Sequence, residues 1–430
     1  MLRQVTAEIA VLNRQAIALA ADSAVTVQST SQSKVWQSAN KIFGLSRHHS
    51  VGLMIYGSAE FMRVPWETII KLYRDQMATT PLRTLAEYRD DFLAFLSANA
   101  HLFPTEEQAF FFGVTVAGSL VNFREEIEAR VAADIEANGS VTPERVAVIV
   151  DDEVKRWQEE LEAMPALEHL PAGFGKATVK RYNKDFEHWR AQIFQKLPLS
   201  SASSRRLRSI AGLLFEKQLF SPQASGVVIA GFGADEYFPG FVSLTLEGLV
   251  NDELNYQCDD VESVTRESTA SVRAFAQADV VYAFMEGVDL KYQRLVEDAV
   301  GRILNDYPGV IVDAVPGVSD TTKAKLKSDF SKATAASFGR LRNALADARR
   351  RHHWQPIIEV VSVLPKDELA AMAESLVNLT SFRRKVSLQL ETVGGPIDVA
   401  VISKGDGFVW IKRKNYFSID QNQHFMARYN

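Results

Sequence analysis

Apolar residues dominate positions 7–12 and 16–21, with Asn13-Arg14-Gln15 between them. Two such runs around a short polar break predict a β-hairpin. A third run, 51–56, stops at Gly57. Pro65 then opens helical spacing over 66–77, with apolar Ile69, Ile70, Leu72 and Tyr73. A proline fits there because the first helical turn leaves its N–H groups unpaired in any case.

From about 80 to 205 the pattern changes. Helical periodicity is read over 82–98, 124–137 and 143–164, with interruptions at Pro165, Pro171, Gly173 and Gly175. The serine-rich stretch 200–204 reads as a linker, and another helix is expected over 205–220. Strand signals return at 226–231 and 241–247, separated by Asp235 and Pro239. Helix is expected over 275–286, through much of a second charged segment at 291–364, and over 366–385. Two last strands, 397–403 and 408–413, flank Lys404-Gly405-Asp406-Gly407, a hairpin turn signal. Strands joined as hairpins imply antiparallel sheets, and helices segregated against them imply an α+β fold.

Composition changes this picture little. The 430 residues are 47% hydrophobic and 23% charged, an ordinary globular balance. Lys and Arg number 48 against 53 Asp and Glu, which argues against nucleic acid as a partner. One cysteine, Cys258, forbids an intrachain disulfide and fits a reducing cytoplasm. The opening residues lack the layout of a signal peptide. The uncharged stretch 108–123 is too short and too glycine-interrupted to cross a membrane.

Candidate chemistry lies near the start. Thr6 begins the first strand, Asp22 follows sixteen residues later in Leu-Ala-Ala-Asp-Ser, and Lys41 sits in Asn-Lys-Ile-Phe-Gly ahead of the strand ending at Gly57. With this cadence, and with Gly394-Gly395-Pro396-Ile397-Asp398-Val399-Ala400-Val401-Ile402 near the other end, the chain resembles the proteasome β-subunit family of N-terminal-nucleophile threonine hydrolases. Gly226-Val-Val-Ile-Ala-Gly-Phe-Gly is similar to that family's central hairpin. The resemblance covers roughly 6–78, 206–290 and 366–413.

It implies a four-layer αββα sandwich with two helical insertions. Its core is then drawn from 1–79, 206–290 and 366–430, with insertions at 80–205 and 291–365. It also implies four roles. Cleavage after Val5 exposes Thr6 as nucleophile, whose own α-amine, with a pKa of ~7.7–8.0, is the base. Lys41 lowers that pKa by its charge, Asp22 holds Lys41, and the Gly57 N–H donates to the oxyanion. The implied substrate is a polypeptide or small amide. The implied assembly is a cytoplasmic homo-oligomer, with an ATP-dependent unfoldase as a further partner and no metal or organic cofactor. A second reading keeps the fold but not the chemistry, as an inactive assembly scaffold or binding subunit. Taken singly, Thr6 is also a plain strand residue, Asp22 a turn former, Lys41 a surface lysine and Gly57 a tight bend.

Other motifs point to less. His48-His49 and His352-His353 are adjacent pairs, whose side chains diverge and suit no shared metal. Asp151-Asp152 and Asp259-Asp260 lack calcium-loop spacing. Gly231-Phe-Gly-Ala-Asp is too short for a dinucleotide fingerprint. Cys258 has no evident activating partner. The run 340–353 carries Arg340, Arg342, Arg349, Arg350 and Arg351 with apolar Leu341, Leu345 and Ala348, the pattern of an amphipathic helix with a solvated basic face. Phe110-Phe111-Phe112 reads as core or subunit interface.

Overall fold

The computed structural model describes residues 7–28, 33–36, 39–45, 48–99, 101–317, 319–386, 394–415, 417–418 and 421–422. Thr6, and residues 387–393 ahead of Gly394, lie outside them. In chain order the elements begin with strands β1 (Glu8–Asn13), β2 (Ala16–Ala21), β3 (Val25–Gln28), β4 (Ser33–Trp36), β5 (Ile42–Gly44), β6 (Val51–Gly57), β7 (Glu60–Phe61) and β8 (Val64–Pro65). Seven helices follow: α1 (Trp66–Gln76), α2 (Leu85–Ala98), α3 (Thr105–Asn138), α4 (Pro143–Ala163), α5 (Phe174–Arg181), α6 (Asn183–Ile193) and α7 (Ser201–Glu216). Then come β9 (Ser225–Gly231), β10 (Gly240–Val250), β11 (Glu253–Ser263) and β12 (Ala270–Ala276). After α8 (Ala278–Glu286), α9 (Leu290–Ala314) and α10 (Asp320–Arg349), a π-helical turn (Arg350–Trp354) leads to α11 (Gln355–Val361). Helix α12 (Lys366–Lys385) and strands β13 (Asp398–Ser403) and β14 (Gly407–Lys412) complete the series. The fold is α+β.

Two compact units divide the chain. One comprises Phe43–Glu236 and Phe241–Glu262; the other comprises residues 7–42, Tyr237–Gly240 and 263–422. The first unit holds a five-stranded sheet in the order β11-β10-β9-β6-β5, with β6 antiparallel to β9. Trp66, Tyr88, Phe92 and Phe103 pack with Leu53, Val227 and Leu244 in its core, and the buried Trp66 indole donates to Ser225 Oγ at 2.8 Å. A second, helical core joins Phe112, Val150, Trp157, Phe186 and Phe215. There α5 meets α7 at a glycine pair: a Cβ on Gly212 would stand 2.9 Å from the Gly175 carbonyl carbon, so the backbones touch directly.

The second unit holds a sheet in the order β12-β1-β2-β13-β14, antiparallel at each of these pairings. Its Ile9, Val11, Ala18, Ala20 and Val399 pack with Leu369, Ala373 and Val377 of α12. The alternate residues Ala10, Leu12, Ile17 and Leu19 are equally solvent-free, so β1 and β2 are buried on both faces.

Several boundaries differ from the sequence reading. The serine stretch 200–204 is no linker: Ser200 caps α7 by accepting the Ser203 N–H, and both hydroxyls donate to Asp151. Such a side-chain oxygen satisfies one of the N–H groups that a helix start leaves open. Helix α3 extends back to Thr105 and takes in the uncharged stretch; Phe112 is buried while Phe110 is half exposed. Phe275 and Ala276 end β12 instead of opening a helix, and α8 starts only at Ala278. Strand β11 follows Asn251 and Asp252, whose φ values of 51° and 65° make a tight hairpin turn. Among the described residues no helix is long and apolar enough to cross a membrane.

Candidate active site around Lys41

The hairpin of β1 and β2 creates the site. Its register sets Glu8 opposite Ala21, so one step further Ala7 faces Asp22. The Asp22 N–H donates to the Ala7 carbonyl at 3.2 Å, and the Ala7 N–H donates back to Asp22 Oδ1 at 3.2 Å. The spacing between Ala7 and Asp22 is therefore a product of hairpin geometry. Thr6 itself, next to Ala7 in the chain, lies outside the described residues.

Lys41 directly precedes β5 and is 4% exposed. Its ammonium donates to Asp22 Oδ1 at 2.6 Å and pairs with Glu8 Oε1 at 3.0 Å. The other oxygen of Asp22 accepts the Gly394 N–H at 3.0 Å, and the neighbouring Ser23 hydroxyl donates to the Pro396 carbonyl. The Gly394-Gly395-Pro396 turn is thus fastened to the end of β2. Burial pulls the Lys41 pKa down, but the charges of Glu8 and Asp22 and their hydrogen bonds outweigh it and hold it above its ordinary 10.5. Lys41 is therefore a fixed cation at neutral pH. It can stabilise negative charge or depress the pKa of a nearby amine, but it cannot accept a proton.

A second couple lies close by. Asp398 pairs in register with Ala21, the residue before Asp22. Its carboxylate accepts the Lys414 backbone N–H at 2.8 Å and also the Lys414 ammonium. Burial lowers the Lys414 pKa, against the pull of Asp398, and the charge of Lys41 pushes it the same way. These five groups, Glu8, Asp22, Lys41, Asp398 and Lys414, form a largely buried ionic network within one unit.

Asp22 and Lys41 are thus brought together as the sequence suggests. Gly57 belongs to the first unit. It ends β6 opposite Ser225 with φ +73°, and a Cβ there would fall 2.6 Å from the Ala224 carbonyl oxygen, so only glycine fits. Glu8 and Lys414 did not stand out in the sequence, and Asp398 was read only as part of a strand motif. Glu8 and Asp398 carry a usable signal, a carboxylate inside an otherwise apolar strand, which burial tolerates only with a partner. Lys414 carries none. Among the described residues, no cluster of three His, Cys, Asp or Glu side chains could hold a metal ion. No family model matches the chain, and neither does any curated protein.

Proposed function

We propose that the chain is a proteasome-like threonine hydrolase, with the two sheets as the inner layers of an αββα sandwich. It processes itself between Val5 and Thr6 and then hydrolyses amide bonds by acyl transfer. The observation that carries this reading is the buried Lys41–Asp22 couple, whose carboxylate also accepts the N–H of Ala7, the residue that follows Thr6. Once freed, the Thr6 α-amine takes the proton of its own hydroxyl. The hydroxyl oxygen attacks the amide carbonyl, the amine passes that proton to the leaving nitrogen, and water releases the acyl group by the reverse path. Lys41, always charged, keeps the α-amine neutral and thus a competent base. Gly57 is assigned to the oxyanion, a contribution of ~2.7–4 kcal/mol per donor. The proposal includes a polypeptide or small amide as substrate, a cytoplasmic homo-oligomer, and an ATP-dependent unfoldase as a further partner.

Intact-mass measurement tests this. The mature chain is expected to lack Met1–Val5, and a Thr6→Ala variant to stay folded and full-length. An active preparation that keeps Met1 or Leu2 overturns the catalytic reading.

One observation favours a catalytically silent subunit. Glu8 shares the Lys41 ammonium with Asp22, so two carboxylates meet one cation. The excess negative charge raises the pKa of a neighbouring amine and weakens the help Lys41 can give it. In that case the chain is unprocessed, folded and still assembled.

A further inference from the structure

Helices α9 and α10 lie side by side in the second unit, and the seam at one end of the pair is open. A cavity of about 480 Å³ lies there, lined by Arg294 and Glu297 from α9 and by Gly339, Arg342, Asn343 and Arg349 from α10, among others. On each helix the lining positions recur at intervals of three and four, so they form one face. That is where a helix pair ordinarily places its apolar stripe. Here only Leu290 and Ala346 are apolar among the lining side chains, while Tyr292 and Leu295 are each 64% exposed and Leu341 and Leu345 are exposed as well. Three guanidinium groups therefore border a groove that is partly open to solvent.

The arginines are held loosely by the protein, and Arg294 and Arg342 are exposed. Arg294 has no hydrogen bond or ion pair among the described residues. Arg342 lies 3.3 Å from Glu297, and Arg349 lies 3.4 Å from Glu286. Both exceed the ~2.7–2.9 Å of a good charge-assisted hydrogen bond. The Arg349 Nε is buried and faces Glu286 across 3.4 Å without forming a hydrogen bond. A buried donor held this loosely can be met more closely by an added anion. The π-helical turn starts at the very next residue, Arg350. Turns of this kind are frequent at functional sites, because they displace side chains from their helical positions.

We infer that this cavity binds a small molecule bearing a multiply charged oxyanion, of which a phosphate ester is the best match. Three guanidinium groups from two helices surround the space, against two carboxylates, which leaves a net positive charge. Guanidinium donors match the oxygens of phosphate and carboxylate in a bidentate manner. The volume is in the range of small-molecule sites and accommodates a ligand of nucleotide size. The site stands apart from the proposed hydrolase reading and survives its failure.

Isothermal titration calorimetry on the full chain tests it, with inorganic phosphate, adenosine diphosphate and citrate as separate probes. At least one is expected to bind saturably. Arg294→Gln is expected to weaken that binding about tenfold or more, since a charged hydrogen bond is lost. Arg294 has no structural partner to lose, so this variant keeps the fold. Arg340→Gln, whose side chain reaches Ser337 and does not line the cavity, is expected to bind as the parent does. Binding of all three probes assigns the site to the oxyanion alone; binding of the diphosphate only assigns part of the affinity to the nucleoside. No saturable binding by any probe overturns the proposal. So does binding that Arg294→Gln and Arg342→Gln leave unchanged.

Discussion

Lys41 Nζ lies 2.6 Å from Asp22 Oδ1, and that same oxygen accepts the Ala7 N–H. One carboxylate therefore positions both the cation and the start of the first strand. Removing the cation leaves Asp22 and Glu8 buried without the ammonium they share. Breaking a buried pair from one side costs about 3–5 kcal/mol. Lys41→Met is therefore expected to lower stability by that amount in urea denaturation, with the loss in the transition that reports the second unit. A change below about 1 kcal/mol would mean the pair is solvated.

The two lysines are expected to respond oppositely to alkali. Lys41 has a folded pKa above 10.5, so its stabilising contribution is complete below 10.5 and is lost as pH rises through the folded value. Lys414 has a folded pKa below 10.5, so its charge opposes folding at neutral pH. That penalty fades as pH climbs through its folded value towards 10.5. Compared with Lys414→Met, the parent should gain melting temperature on approaching 10.5. Compared with Lys41→Met, it should lose it above 10.5. Parallel curves for all three proteins would contradict both assignments.

Gly57→Ala combines a left-handed φ of +73° with a Cβ placed 2.6 Å from a carbonyl oxygen. Strain of this kind costs about 1–3 kcal/mol. The expected loss should appear in the unfolding of the first unit. Gly405→Ala is the control, because nothing lies within 4 Å of its Cβ position; it is expected to be near neutral.

Asn13 is fully buried, and its side-chain amide donates to the carbonyls of Val361 and Leu364 at 2.9 Å each. Asn13→Ala removes a donor from two carbonyls at the end of α11, of which that of Val361 keeps the Leu364 N–H at 3.2 Å. It is expected to cost about 1–3 kcal/mol and to speed hydrogen exchange around residues 361–369. Unchanged exchange there would show that the tether is idle.

The proposed assembly is tested by light scattering. A homo-oligomer scatters as a multiple of the 47.9 kDa chain, and a monomer at micromolar concentration refutes it.

The clearest sequence signals were apolar runs closed by turn residues. β1, β2, α12, β13 and β14 all fall within a residue or so of where their patterns place them, and the Thr6–Asp22–Lys41 spacing led to a real Lys41–Asp22 pair. The misses share a cause. β11 reads Glu-Leu-Asn-Tyr-Gln-Cys-Asp-Asp-Val-Glu-Ser and is largely exposed at a sheet edge, so it has no apolar run to detect. Ser200 looked like linker chemistry because a capping serine and a loop serine are the same residue, told apart only by the helix that follows. α5 was hidden by Gly173 and Gly175, one of which serves a backbone contact with α7 that no local pattern announces. Lys414 was invisible because it lies just past β14 and meets Asp398 only once the β13–β14 hairpin has formed.

The second unit's sheet also bears on how the chain is made. β1 and β2 are translated well before their flanking strands, β12 and β13, which end at residues 276 and 403. At ~5–20 residues per second, roughly 20–80 s pass between synthesis of the first hairpin and arrival of its last neighbour. Until then Ile9, Val11, Ile17 and Leu19 lack part of the sheet that buries them. The hairpin that carries the ionic site is thus translated long before it can be enclosed. A chaperone that shields the nascent first strands should raise the folded yield far more than one supplied after release.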